Sequence, residues 1–199
     1  MQVSFAEKFW KDLGKFLEDD IGKSSLAVQQ MLEEDYPKLL KCYNTLIKKL
    51  KYDCFTYDPK VLKKLESSYL STSLAKMLDP TQSMFSGETA IPSHDQIDSL
   101  IRIVTGELSI ALVEENLSEQ VSKNVAKCIK MFAVKVEQQV ESGPEAAQVI
   151  GGAPNMGQQK NVSLANSLQY LQLQVQRMLS NMKESLTEPC VKIINDTHF

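Results

Sequence analysis

The sequence contains few of the residues from which catalytic and metal sites are built. Among its 199 residues there are two histidines, His94 and His198, so a general base or a zinc site would rest on carboxylates alone. The nucleophile motif G-x-S-x-G and the zinc motif H-E-x-x-H are both absent. We therefore expect no enzymatic activity, no metal and no other cofactor.

Long apolar runs and a concentrated basic surface are also missing. No run of about 18 apolar residues occurs, and the N-terminus lacks a continuous apolar segment, so neither a membrane span nor a signal peptide is predicted. The formal net charge is -3 and basic residues are interspersed with acidic ones, so we expect no nucleic-acid partner. The four cysteines have no C-x-x-C spacing, which favours reduced thiols in the cytosol.

One segment has the glycine spacing of a phosphate-binding loop but lacks the residues that bind phosphate and magnesium. Gly152 and Gly157 have the G-x-x-x-x-G spacing, but Gln158 and Gln159 follow where the motif needs a lysine and a hydroxyl residue. We therefore expect no nucleotide binding.

What the sequence does contain is the apolar spacing of amphipathic helices. Ser93 with Gln96 has the capping-box spacing that starts a helix, and Asn116 with Glu119 predicts a second start. Apolar residues at steps of three and four follow both starts: Ile97, Leu100, Ile101, Val104, Leu108, Ala111 and Leu112, then Leu117, Val121, Val125, Cys128, Ile129, Phe132, Val136 and Val140. The stretch is therefore predicted to be a helical hairpin.

The N-terminal part is predicted to be helical as well. Ser24 or Ser25 is expected to cap a helix that buries Val28, Met31 and Leu32.

Prolines mark the expected boundaries in this part. Pro37 predicts a kink or a one-residue break, and Asp58 with Pro59 predicts the start of a helix that ends near Leu78.

A heptad pattern near the C-terminus predicts a long helix that packs on another helix. Its apolar seam consists of Leu164, Leu168, Leu171, Val175, Met178, Met182 and Leu186. We expect the partner of this seam to lie within the same chain, because most apolar stripes at helical spacing belong to a core.

No stretch alternates with period two, so the predicted fold is all-α, with helical hairpins stacked into a bundle or an elongated rod. The expected parts are a helical region 1–80, a loop 81–92, the hairpin 93–141, a Gly/Pro-rich loop 142–157, a long helix 158–188 and a tail 189–199. In the first loop, Met84 and Phe85 are our candidates for exposed anchors of a partner interface.

Several blocks of residues resemble one known family. The blocks occur in the order that this family shows, and they are Asp35 to Leu40 with Tyr43-Asn44, Tyr69 to Leu74 leading to Asp79-Pro80, Val121 to Lys127, Gln148 to Gly151, and Asn161-Val162 with Asn166-Ser167-Leu168. They closely resemble subunit 5 of the conserved oligomeric Golgi complex over roughly residues 20 to 186.

The resemblance implies a non-enzymatic subunit of a complex that tethers vesicles recycling within the Golgi, built from helical bundles. It also implies a peripheral protein on the cytosolic face of Golgi membranes that works with the other subunits of the complex, most directly subunit 7. The family's N-terminal coiled-coil region has no counterpart here, so we expect a fragment or a short form.

Two other functions fit the residues alone. The heptad seam together with lysines between Lys38 and Lys64 would suit a free-standing helical adaptor or a peripheral lipid-binding module. An all-helical enzyme would need a metal or a nucleotide for which the sequence offers no motif.

Overall fold

The computed structural model describes residues 5–49, 60–87, 91–147 and 152–197, and all of their regular structure is α-helical, without a strand. The helices are α1 (Phe5–Lys23), α2 (Leu26–Glu34), α3 (Tyr36–Lys49), α4 (Lys60–Met84), α5 (His94–Ala111), α6 (Glu115–Gln139), α7 (Pro144–Ala147), α8 (Met156–Asn181) and α9 (Glu188–Asn195). The all-α prediction is confirmed. The chain divides into two compact units, Met1–Thr72 (unit 1) and Ser73–Phe199 (unit 2), with the boundary inside α4.

Some sequence predictions fall on residues outside these ranges. Asp58, Pro59, Cys54 and His198 are not among the described residues. Within the described ranges, no helix combines the length and the apolar content needed to cross a bilayer.

Local capping sets the start of α2 and α3 in unit 1. Ser25 caps α2, because its hydroxyl accepts a hydrogen bond from the backbone N–H of Val28 at 3.4 Å. Asp35 then separates α2 from α3, and Pro37 lies in the first turn of α3, where its missing N–H would have had no helical partner. The sequence predicted a kink or a one-residue break at Pro37; the structure has a one-residue break, but it lies at Asp35, two residues earlier, and Pro37 itself is helical.

Among the described residues of unit 1, the buried large hydrophobic side chains are Tyr36, Leu62, Leu65 and Tyr69, and the two tyrosine rings lie 6.0 Å apart between centroids. Helix α2 contributes no buried residue at all. The predicted burial of Val28 and Met31 is therefore wrong, since these side chains are 40% and 56% exposed. Helical periodicity identifies which residues share a face, but it does not show that another element covers that face.

Helix α6 is the central element of unit 2. It packs against α5, α8 and α9, while α5 also packs against α8. The side chains in this core with less than 2% exposure include Phe132, Met77, Ile97, Leu108, Leu117, Val121, Val125, Leu164, Leu171 and Ile194. The predicted hairpin of α5 and α6 is confirmed, and so is the capping box of Ser93 and Gln96.

The heptad seam is used inside unit 2. Leu164, Leu171, Val175, Met178 and Met182 are buried where α8 packs against α5 and α6, which confirms the intramolecular partner. The helix itself ends at Asn181, several residues before the predicted end at 188.

A further helix occupies most of the segment that the sequence analysis described as a tail, 189–199. Pro189 lies in the first turn of this helix, α9, where proline is favoured. Cys190 and Ile194 of α9 are almost fully buried. The C-terminal segment is therefore part of the packed bundle.

Helix α4 runs beyond its predicted end near Leu78, through Pro80 to Met84. Proline inside a helix costs about 3 kcal/mol, but burying Met84 and Phe85 contributes roughly 1.5–3 kcal/mol each. The Thr81 hydroxyl donates to the Met77 carbonyl at 2.8 Å and lies 3.3 Å from the Cys128 sulfur, which links the last turns of α4 to α6. Tertiary packing therefore outweighs the local signal for a helix end.

Two helix starts also differ from the predicted ones. Helix α6 begins at Glu115 rather than after Asn116, because both carboxylate oxygens of Glu114 accept hydrogen bonds, at 3.0 Å from the Asn116 N–H and 2.8 Å from the Leu117 N–H. In the segment that resembles a phosphate loop, Asn155 and Gln158 form a capping box that starts α8. Each start is stabilised by a side chain that satisfies backbone N–H groups.

Candidate interaction surfaces

The two predicted anchor residues, Met84 and Phe85, belong to the core of unit 2. Met84 is 5% exposed and Phe85 is 7% exposed. The ring of Phe85 packs edge-on against Phe132 of α6, with 5.1 Å between the ring centroids. The expected exposure of this pair is therefore wrong, because α4 extends further than predicted and carries both side chains into the bundle.

The described cysteines are free thiols, and two of them are buried. Cys42 is exposed, whereas Cys128 and Cys190 lie in the core of unit 2. Burial raises the pKa of the Cys128 thiol, and a hydrogen bond with Thr81 opposes this shift only in part. Cys128 is therefore held as an unreactive thiol that fills space between α4 and α6.

An ion pair between a buried carboxylate and a half-exposed lysine joins α4 to α5 within unit 2. Glu107 is 6% exposed, and its Oε1 lies 3.3 Å from the ammonium group of Lys76, whose side chain is about half exposed. Removing one partner of such a pair leaves a buried charge without compensation, so the pair favours one arrangement of the two helices. No group of three or more potential metal-ligating side chains occurs in the described part of the chain.

A polar cluster at the surface of unit 2 connects α5 to α8. The ring of His94 stacks on the ring of Tyr170, with 3.8 Å between centroids and 12° between planes. The Tyr170 hydroxyl donates to Asp98, at 2.9 Å from Oδ1 and 3.1 Å from Oδ2. This hydrogen bond is the main reason that the pKa of Tyr170 is raised, since ionisation would break it and place two negative charges together. The cluster fixes the first turns of α5 against α8.

A groove of about 910 Å³ lies in unit 2 beside the C-terminal end of α6 and the start of α8, and Ile91, Pro144 and Met156 line part of it. One wall is held by Asn161, whose amide oxygen lies 2.8 Å from the Glu141 N–H and whose amide nitrogen donates to the Glu141 carbonyl at 2.9 Å. The Asn161 side chain thus pairs with both backbone groups of Glu141, as a neighbouring strand would, and holds Glu141 at the edge of the groove.

Unit 1 carries the larger exposed apolar side chains. In α1, Phe5, Phe9 and Phe16 are 88%, 51% and 64% exposed, and in α2 Leu26 and Met31 are 72% and 56% exposed. In unit 2, Ile110 and Val134 occur singly on α5 and α6, whereas α8 exposes three such side chains, with Met156, Val162 and Leu173 at 87%, 59% and 46%. Single exposed hydrophobic residues are normal, but several on one helix indicate a surface that contacts another molecule.

Three curated relatives match most of this chain, and all carry the name conserved oligomeric Golgi complex subunit 5. The Mus musculus protein is 34% identical over 198 residues, covering 79% of this chain and 24% of its own length. The Drosophila melanogaster protein is 31% identical over 176 residues, covering 88% of this chain and 22% of its own length. The Arabidopsis thaliana protein is 22% identical over 180 residues, covering 83% of this chain and 22% of its own length. The chain thus spans about a quarter of the length of the curated relatives it matches.

No protein-family profile matches the chain, and no solved structure matches it either.

The burial of Phe85 predicts a large loss of stability on its removal. Phe85→Ala should lower the free energy of unfolding by about 3–5 kcal/mol, because it removes a core ring and leaves a cavity beside Phe132. Urea unfolding followed by far-ultraviolet circular dichroism measures the change. The matched control is Phe16→Ala at an exposed position, which should change stability by no more than about 0.5 kcal/mol. Equal effects of the two substitutions would contradict the buried position of Phe85.

The Tyr170 cluster predicts a change at alkaline pH. Because the folded-state pKa of Tyr170 lies above its usual value of about 10, the cluster's stabilising effect is complete below that pH and is lost as the pH rises through the raised pKa. Asp98→Asn should lower the pKa of Tyr170, which the ultraviolet absorbance of tyrosinate reports on titration. A titration curve that is the same with and without the Asp98 carboxylate would show that this hydrogen bond does not control the ionisation.

Proposed function

The chain belongs to the family of conserved oligomeric Golgi complex subunit 5, and we propose that it forms a helical scaffold segment within a complex that tethers vesicles at the Golgi apparatus. In this proposal it has no catalytic role and acts in intra-Golgi retrograde transport by binding other subunits, most directly subunit 7. It would lie on the cytosolic face of Golgi membranes as a peripheral component. The rod-like stacking expected from the sequence remains part of the proposal.

The observation that carries this proposal is the match to three relatives of one name over most of the chain. The packing of unit 2 is consistent with a scaffold, because α6 is surrounded by α5, α8 and α9 and the core side chains are almost fully buried. Such a bundle holds its surface residues at fixed positions, which a subunit that links other proteins requires.

The exposed phenylalanines of α1 support a role in binding. A large apolar side chain in water has an unfavourable free energy of hydration, and covering it contributes roughly 1.5–3 kcal/mol. Exposed apolar groups of this size on one helix are typical of surfaces that become buried in a complex. In the proposed complex, such a surface would serve as a binding site for another subunit.

Co-expression tests the proposal. The chain would be produced together with each of the other subunits of the conserved oligomeric Golgi complex in turn, with an affinity tag on the chain alone. We expect subunit 7 to be recovered with the chain and to migrate with it as one species in size-exclusion chromatography. The matched control is the same tagged chain carrying Phe85→Ala. If this variant is folded, it should still bind subunit 7, and if unit 2 unfolds, binding should be lost.

Two results would contradict the proposal. One is a folded chain, verified by circular dichroism, that binds none of the subunits. The other is a folded chain that binds vesicles of anionic lipid but no subunit, which would favour the lipid-binding module instead.

A further inference from the structure

Helix α8 carries almost no charge on its exposed side. Charged residues make up 24% of the chain, but the 26 residues of α8 include two, Lys160 and Arg177. The Lys160 ammonium lies 2.7 Å from a carboxylate oxygen of Glu141, and its side chain is 17% exposed. A surface helix normally places charged residues opposite its apolar stripe. Loss of charge from an exposed face is instead the compositional mark of an interface core.

Four exposed residues follow one another along this side of α8 at steps of four, three and four, namely Val162, Asn166, Gln169 and Leu173. We call these four residues the α8 outer line. Because an α-helix turns by about 100° per residue, they fall within about 60° of arc. They lie opposite Leu171, which is 1% exposed in the core, whereas Val162 and Leu173 are 59% and 46% exposed.

The two amides of the outer line have unused hydrogen-bonding groups. Within the described part of the chain, the side chains of Asn166 and Gln169 form no hydrogen bond. An amide group both donates and accepts, so one amide side chain can pair with another. A wholly aliphatic helix that covered the line would leave both amides unpaired, and a charged residue opposite Val162 or Leu173 would lose its hydration. The occupant that fits is uncharged, with amides at its centre and aliphatic residues at both ends.

The outer line itself has this composition, and it is the same when it is followed from either end. Its order is aliphatic, amide, amide, aliphatic, and its spacing of four, three and four residues is symmetric. When two copies of α8 lie antiparallel about a two-fold axis, Val162 faces Leu173 of the second copy. Asn166 then faces Gln169 of the second copy. A two-fold dimer requires a surface that is complementary to itself in this way.

The charge on α8 favours the antiparallel direction. Arg177 lies about 50° from the centre of the outer line, whereas Lys160 lies about 150° from it. In a parallel pair the two Arg177 side chains would be level with each other and would repel. In the antiparallel pair they are about 28 Å apart along the helix axis, at a rise of 1.5 Å per residue. This separation exceeds the roughly 8 Å over which salt screens exposed charges.

Helix α5 lies beside α8 and carries exposed charges of both signs, such as Asp95 and Arg102. Its charge therefore favours neither an acidic nor a basic partner for the outer line.

We infer that the α8 outer line is a contact surface between two copies of this chain, which pair antiparallel through α8. The central amides fix the register, since a slide by seven residues in either direction places an amide against an aliphatic side chain. Four residues from each copy are few beside the roughly 20–30 residues per side of a standard interface. The dimer is therefore weak and reversible. The inference goes beyond the proposed function and does not depend on it.

Two charge substitutions test the pairing in the complete chain. Val162→Glu or Leu173→Lys alone places a charge against an aliphatic side chain at both ends of the dimer. Each should weaken self-association at least about tenfold, as sedimentation velocity over a range of concentrations measures. An equimolar mixture of the two variants should recover association. The antiparallel pair brings the introduced glutamate and lysine together at one end and keeps the original Val162 and Leu173 contact at the other.

The matched controls are exposed aliphatic residues on other helices. Val134→Glu on α6 and Ile110→Lys on α5, both at positions that are 48% exposed, should leave self-association unchanged. Phe16→Ser on α1, at a position that is 64% exposed, should also leave it unchanged. Circular dichroism verifies that each variant is folded.

Cysteine cross-linking measures the direction of the pair. In a chain that carries Cys42→Ser and Cys54→Ser, the Val162→Cys and Leu173→Cys variants are oxidised separately and as a mixture. A disulfide needs Cβ atoms about 3.5–4.5 Å apart, so it reports residues that face each other. We expect more covalent dimer from the mixture than from either variant alone. Equal or stronger cross-linking of each variant with itself would contradict the antiparallel pair.

The remaining outcomes separate this dimer from the proposed function. A wild-type chain that stays monomeric at its highest soluble concentration overturns the inference, and the proposed function stands if that chain binds subunits. Self-association that the α8 variants do not weaken, or that Phe16→Ser abolishes instead, overturns it by placing the contact elsewhere. Loss of subunit binding in the α8 variants of a monomeric chain overturns it in favour of another polypeptide. If the chain dimerises as described but binds no subunit, the dimer stands and the proposed function fails.

Discussion

The burial of one face of α6 is the constraint on which the rest of unit 2 depends. That face carries Phe132, Val121 and Val125, which are fully buried, and α5, α8 and α9 are the helices that cover it. Each fully buried side chain of this size contributes roughly 1.5–3 kcal/mol, comparable to the cost of a proline within a helix. This explains why α4 continues past Pro80 to bring Phe85 onto Phe132.

Unit 1 shows the opposite balance, and this difference bears most directly on function. Its described helices leave phenylalanines of α1 exposed and bury no residue of α2, whereas Tyr36, Leu65 and Tyr69 are buried. Exposed apolar side chains of this size on one helix are typical of surfaces that contact another molecule.

Much of the fold was predictable from the sequence, because local signals and packing agree there. The capping box at Ser93, the cap at Ser25 and the heptad seam of α8 each predicted what the structure has. The resemblance to conserved oligomeric Golgi complex subunit 5 is confirmed by the curated relatives. Predictions failed where long-range packing opposes a local signal, as at Pro80. The prediction that Met84 and Phe85 are exposed failed for the same reason, because it followed from assigning both residues to a loop. The exposure of Phe5, Phe9 and Phe16 on α1 is known from the structure alone.

The central claim is that unit 2 has a densely packed core, whereas α1 and α2 of unit 1 keep large apolar side chains exposed. Amide hydrogen exchange of the isolated chain, followed by mass spectrometry, measures this most directly, because it reports the opening free energy of each helix separately. The account predicts strong protection of α5, α6 and α8, and exchange in α2 and the outer turns of α1 close to that of an unstructured peptide. Protection of α2 equal to that of α6 in the chain alone would contradict it.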